Sequence, residues 1–169
     1  MINTRISPCL WFADQAEEAA KFYTGIFKNS RITSISRYSE AGQSVHRRPP
    51  GSVMVVGFEL DGQPFSALNG GPLFTFNEAI SLQVTCDTQE EIDYYWDKLS
   101  KGGDPKAQQC GWLKDRFGLS WQVVPAGMAE FLKDAESAGA KRAMEAMLGM
   151  KKVDLAALER ARAGEPIAT

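Results

Sequence analysis

Apolar residues open the chain as a tight cluster, Cys9-Leu-Trp-Phe12, give way to Asp14, and then recur three and four apart at Ala19, Phe22, Tyr23, Ile26 and Phe27. The cluster predicts a short buried strand. The spacing after it predicts an amphipathic helix, because side chains three and four apart share one helix face. Residues 80–99 run through the same order of apolar strand, acidic turn and helix. At a constant offset of 72 positions Leu10 falls on Leu82, Glu18 on Glu90 and Tyr23 on Tyr95, while Phe12, Phe22 and Phe27 fall on Val84, Tyr94 and Leu99. A chain that repeats itself in this way is expected to be one supersecondary unit built twice.

The pattern between and after the copies fills in the rest. Residues 31–38 alternate loosely around Ile32 and Ile35 and predict a half-exposed strand. Residues 39–52 carry Gly42, Pro49, Pro50 and Gly51 among polar neighbours, which predicts a mobile loop holding neither helix nor central strand. Two β-rich runs, 52–60 and 63–69, flank Asp61-Gly62, a pair suited to the positive φ of a tight hairpin turn. The first module thus reads β-α-β-β-β and breaks at Asn69-Gly-Gly-Pro72. In the second, a strand over 80–85 leads to an N-cap at Asp87 or Thr88 and a helix closing near Gly102-Gly103. A hairpin follows, over 108–114 and 119–124, around Asp115-Arg-Phe-Gly118. The strand expected between helix and hairpin is nearly absent, so this module is trimmed. Beyond Ala126 the spacing turns helical around Met144, Met147 and Leu148 and again around Leu155 and Leu158, with Asp154 as an N-cap. The predicted organisation is a first module over 1–72, a second over 73–126 and a helical extension over 127–169. The fold class is α+β.

Composition narrows what such a protein does. With 169 residues, 44% of them hydrophobic, the chain can bury a core without disulfides. Nineteen basic and 21 acidic residues leave a formal charge of −2, which gives no footprint for nucleic acid. Cys9, Cys86 and Cys110 are an odd count without CxxC spacing, pointing to free thiols in a reducing compartment. No signal-peptide order opens the chain and no apolar run approaches the roughly 20 residues of a membrane helix. A soluble cytoplasmic protein without membrane contact is expected.

The residues then carry a resemblance. Asp115-Arg-Phe-Gly-Leu-Ser-Trp-Gln-Val123 resembles the D-P-D-G-N-x-W-E-L signature of the glyoxalase/bleomycin-resistance, or vicinal oxygen chelate, superfamily. Cys9-Leu-Trp-Phe12, Ala67-Leu-Asn-Gly-Gly-Pro72, Cys110-Gly-Trp-Leu-Lys-Asp115 and Ser120-Trp-Gln-Val-Val-Pro125 are similar to its PhnB-like, or 3-demethylubiquinone methyltransferase-like, branch. The helical tail resembles one subgroup of that branch. The resemblance implies two βαβββ modules forming a curled mixed sheet around a cleft, and a homodimer. It also implies four metal ligands, usually His and Glu, on the first and last strands of each module of the metal-dependent members. Ser7, Ser66, Ala79 and Gln122 stand at those places here, and none is a strong donor, so no metal and no cofactor are expected. The sole histidine, His46, lies in the loop beside Arg47 and Arg48 and reads as a surface residue.

Strand alternation selects the side chains of the cleft. Ile80, Leu82 and Val84 are expected under the helix, leaving Ser81, Gln83 and Thr85 toward the cavity. By the repeat, Cys9 and Trp11 join them, with Ser66 and Leu68 from the last strand of the first module, Asn69 at the rim and Gln122 from the final strand. Cys9, Trp11, Ser66, Leu68, Asn69, Ser81, Gln83 and Gln122 are therefore the candidate ligand-binding residues. An indole, a thiol and a few amides suit a small, weakly polar organic molecule. The plainer reading makes Trp11, Trp112 and Trp121 ordinary core, all three cysteines inert buried thiols, and Gln83 and Gln122 partners of one another. A methyltransferase would need a Gly-rich loop between strand and helix for S-adenosylmethionine; Gly70-Gly71 is followed by Pro72 and Gly102-Gly103 closes a helix. A dimerising, partner-binding module using the Met-containing tail is the remaining alternative. In a dimer the loop over 39–52 would reach the neighbour's cleft.

Overall fold

Alternation in three of its four strands decides the first sheet. Leu10 and Phe12 on β1 (Cys9–Phe12), Val56, Phe58 and Leu60 on β3 (Val53–Leu60) and Ala67 on β4 (Gln63–Asn69) are all buried. Their neighbours on the other face are half-exposed or open. The buried face is covered by α1 (Ala16–Thr24), whose Ala16, Ala19, Ala20 and Tyr23 face inward and are buried. Small alanines let the helix approach closely, and Tyr23 stacks on Phe58 with ring centroids 6.3 Å apart. The strand order is β1-β4-β3-β2, with β1 parallel to β4 and the other pairs antiparallel. Asp61 and Gly62, at φ 46° and 78°, make the primed turn expected between β3 and β4. The edge strand β2 (Arg31–Arg37) is exposed along almost its whole length.

This computed structural model describes residues 5–129 and 133–165. Residues 1–4, 130–132 and 166–169, and with them the start of the predicted first module and parts of the predicted helical extension, lie outside the described residues. The chain divides into two units, Met1–Phe76 and Asn77–Thr169.

The second unit reuses the plan. β5 (Leu82–Cys86) runs parallel to β7 (Ser120–Pro125), which pairs antiparallel with β6 (Trp112–Lys114), giving the order β5-β7-β6. α3 (Gln89–Ser100) buries Ile92, Trp96 and Leu99 against the face formed by Val84, Cys86, Leu113, Trp121 and Val123. Its N-cap is Thr88, which accepts from the Glu91 amide, while the Glu91 carboxylate accepts from the Asp87 amide. A 3₁₀ turn over Pro105–Ala107 stands where the first unit has a further strand.

Several sequence expectations need correction. Ile80 precedes the strand and is 66% exposed, so the helix-facing set is Leu82, Val84 and Cys86. The strand expected from residue 108 begins only at Trp112, because Cys110 and Gly111, both at positive φ, turn the chain there. The 39–52 loop does contain a helical turn, α2 (Gln43–His46), and its ends are tied to its own unit. Tyr38 Oη donates to the Asn69 carbonyl (2.7 Å), the Arg48 guanidinium bonds the Ala13 carbonyl, and the His46 ring lies against Tyr38. The helical turn ends where Arg47 enters the left-handed region, at φ 55°, ahead of Pro49 and Pro50. The tail, finally, buries only part of its apolar surface within its own unit, leaving Leu148 54% exposed and Met144 and Met147 half-buried. α4 (Ala138–Leu148) and α5 (Leu155–Ala163) bury Ala140, Ala143, Ala157, Leu158 and Ala161, and Val153 between them is fully buried.

Candidate functional site

Each sheet has one face under a helix and one open face, and the predicted site residues divide between them. In the first unit Cys9 pairs with Ser66 and Trp11 with Leu68 across the parallel β1/β4 ladder, and Leu68 pairs with Val55 on β3. Cys9 is exposed, which corrects its reading as a buried thiol. Trp11 is fixed: its indole N–H donates to the Gly71 carbonyl at 2.8 Å and its ring meets the edge of Phe74, centroids 4.9 Å apart. Gly70 exists to make this possible, since a Cβ there would fall 2.1 Å from a Trp11 ring carbon. The glycine pair that a cofactor loop would need is thus used for seating an indole.

Asn69 does not stand at the rim. It is buried, its side-chain oxygen accepts from the Ala16 amide at 2.8 Å, and its nitrogen donates to the Val53 carbonyl at 3.1 Å. It caps the start of α1 and ties that helix to β3, a structural assignment that leaves neither end for a ligand.

In the second unit the three candidates meet. Gln83 and Gln122 are register partners on β5 and β7; Gln83 Nε2 donates to Gln122 Oε1 (3.2 Å), and Gln122 Nε2 donates to Ser81 Oγ (2.8 Å). This amide chain runs across the open face, leaving Gln83 Oε1 as an acceptor. On the other side of Gln122 its register partner is Trp112, half-exposed on the same face, which corrects the expectation of Trp112 as core. Trp121, of opposite parity, is buried as expected.

Sequence reasoning missed the lower half of this face. Lys114 and Ser120 are register partners one row below Trp112 and Gln122. Together with Glu78, Gln109, Cys110 and Trp112 they line a cavity of about 340 Å³. Lys114 is ion-paired with Glu78, whose carboxyl is held below the usual carboxylate range first by that bond and then by its own backbone N–H. Alternation back from Gln122 reaches Ser120 in the sequence; Lys114 needed the hairpin register, which the misplaced start of β6 hid. One wall of the cavity depends on the extension. The amides of Cys110 and Gly111 donate to the carbonyls of Met150 and Lys151, both at 2.8 Å.

The signature stretch serves as structure. Asp115 is 2% exposed, and its carboxylate accepts from the amides of Phe117 (2.8 Å) and Leu119 (3.1 Å) and from the Trp121 indole (2.8 Å). It fixes the β6–β7 turn and the buried tryptophan in one stroke. Cys86, at the end of β5, is buried; burial first, then the Glu91 and Asp87 carboxylates, push its thiol up to about 11, which disfavours the nucleophilic thiolate. Among the described residues no three His, Cys, Asp or Glu side chains gather as a metal-ligand group. Among the same residues no helix is long and apolar enough to cross a membrane.

Two mixed sheets, each with a parallel pair of strands and an antiparallel neighbour, define the glyoxalase/bleomycin-resistance class of fold. Protein PA1353 from Pseudomonas aeruginosa shares it at 18% identity and TM-score 0.54, over 73% of this chain and 98% of that one. So does the fosfomycin resistance protein FosX from Listeria monocytogenes, at 16% identity and TM-score 0.52, over 79% and 99%. More narrowly, the chain belongs to the 3-demethylubiquinone-9 3-methyltransferase, or PhnB-like, family, which residues 4–124 match. A putative 3-demethylubiquinone-9 3-methyltransferase, PhnB protein, from Bacillus cereus is 41% identical, with a TM-score of 0.62, over 73% of this chain and 100% of that one. No curated protein matches the chain.

Proposed function

We propose that the protein binds a small, weakly polar organic molecule on its open sheet faces and does so without a catalytic divalent metal. The observation that supports this most is the amide chain Gln83–Gln122–Ser81 beside Trp112: hydrogen-bonding groups in fixed order next to an aromatic plane, on a face that no helix covers among the described residues. Trp11 and Leu68 offer the first unit's apolar counterpart, with Cys9 and Ser66 at its edge. The positions that the superfamily resemblance assigns to metal ligands hold Ser7, Ser66, Ala79 and Gln122, a donor set too weak for a catalytic divalent ion. In this reading the protein is a homodimer, for which sedimentation returns twice the 18.6 kDa chain mass.

The test is a thermal-shift screen of chelator-treated protein against divalent metals, S-adenosylmethionine and small aromatic and polar metabolites. A ligand at a hundred times its dissociation constant stabilises by about 2.7 kcal/mol. Stabilisation by an organic compound alone is the expected result; stabilisation by metals alone contradicts the proposal. Methyl transfer is a second reading, favoured by the family description, and a shift with S-adenosylmethionine would favour it over simple binding.

A further inference from the structure

Within the cavity of the second unit one polar atom has no partner. Ser120 is 1% exposed, and its hydroxyl meets no hydrogen-bond partner among the described residues. Buried hydroxyls are nearly always satisfied, so an orphan lining a cavity marks a place where a ligand atom completes the bonding. Directly across the ladder stands Lys114, its side chain 24% exposed and its charge met by the carboxylate of Glu78. Glu78 is the opposite kind of residue. Its side chain is 64% exposed, it lies outside any strand or helix, and it reaches the ammonium from the rim. A surface ion pair of this kind is weak and exchangeable. Trp112 supplies an apolar wall on the same face, and a volume of about 340 Å³ holds a molecule of one or two rings.

We propose that this cavity is a subsite for the carboxylate of a small, flat organic acid, that Lys114 and Ser120 receive that carboxylate while Trp112 flanks the ring, and that Glu78 is its internal stand-in. An entering acid displaces Glu78 toward solvent, takes over the charge-assisted bond from Lys114, and accepts from the Ser120 hydroxyl. The proposal rests on the small-molecule reading above and narrows it to ligands whose weakly polar body carries one carboxylate; Gln83 and Gln122 lie one row further along, where the neutral body of a longer ligand would extend.

Benzoate and indole-3-carboxylate are the probes, with benzamide as the uncharged control, titrated calorimetrically into the full-length protein. Benzoate is expected to bind at least about fivefold tighter than benzamide, with Lys114→Gln weakening it about tenfold or more and Ser120→Ala about three- to tenfold. Glu78→Gln, an exposed substitution that leaves the fold intact, is expected to tighten benzoate at least about threefold, because it removes the competitor. That sign separates a stand-in from a ligand-binding residue. Weaker binding in Glu78→Gln, equal binding of acid and amide, or no binding of either acid overturns the proposal. Equal binding of acid and amide that is lost in Gln83→Ala or Gln122→Ala overturns the proposal while leaving the small-molecule reading in place.

Discussion

On the open face of the first sheet the row Trp11, Leu68, Val55 runs across three strands; on the second sheet the corresponding row is Gln83, Gln122, Trp112. The frames match. Each has a first strand parallel to the last, a helix over the buried face, and an antiparallel partner for the central strand. The open faces do not match. Along that row the first is apolar, with the Trp11 N–H spent on the backbone of Gly71, and its charged pair, Arg31–Glu59, stands away from the row at the β2 edge. The second carries amides, a lysine and an unmet hydroxyl. Packing under a helix constrains one face of a strand to fit its neighbours, whereas the other face is released to change its chemistry without cost to the fold. In the second unit that face carries polar side chains.

The comparison breaks most visibly if the second unit loses the extension that the first never had. The B. cereus relative spans only 73% of this chain, and the family match ends at residue 124, so the tail is an addition to the shared frame. Truncation after residue 149 removes the buried Val153 and Leu158 and the two carbonyls that hold Cys110 and Gly111, and is expected to cost about 4 kcal/mol. Thermal melts of the full and truncated chains measure it. Next is Asp115→Ala, which orphans two amides and an indole N–H and is expected to cost about 3 kcal/mol, seen as a melting temperature lower by about 10 °C. Asn69→Ala has the same logic in the first unit with two partners instead of three. A loss of about 2 kcal/mol in chemical denaturation is expected, with no role in ligand affinity.

Gln122→Ala sharpens the contrast from the other side. Its partners Gln83 and Ser81 stand on the open face, where water replaces lost bonds, so a cost below about 1 kcal/mol is expected, together with a loss of ligand response in the thermal-shift screen. The smallest effect belongs to Asp93, paired with Lys152 at 2.7 Å and accepting from Gln89, bonds that hold its carboxyl below the usual range, Lys152 first. A carboxyl lowered in the folded state contributes stability above its unfolded pKa of about 3.9 and loses it as pH falls through the folded value. Asp93→Asn is therefore expected to cost a few tenths of a kcal/mol at neutral pH and less at acidic pH, by urea titration at both.

The repeat, the hairpin turn at Asp61-Gly62 and the N-caps at Thr88 and Asp154 were legible in the sequence because each is local: an offset, a turn pair, a capping side chain. The pairing of Gln83 with Gln122 was also within reach, since parity and the repeat place both on one face. What stayed hidden depends on contacts between distant segments. Nothing near Asn69 in sequence tells that its amide reaches Ala16 and Val53, and nothing near Cys110 tells that Met150 and Lys151 fold back to meet the turn. The loop of prolines and glycines was read from propensity alone, and tertiary bonds from Tyr38 and Arg48 overrode it.

The measurement that bears most directly on the central claim, that ligand recognition has settled on the open face of the second unit, is a map of side-chain amide NMR signals as the best binder from the screen is added. The account predicts that the NH₂ resonances of Gln83 and Gln122 and the indole N–H of Trp112 move together with saturation, while those of Asn69 and Trp121 stay in place. Shifts confined to the first unit, or absent from Gln83 and Gln122 at saturation, would contradict it.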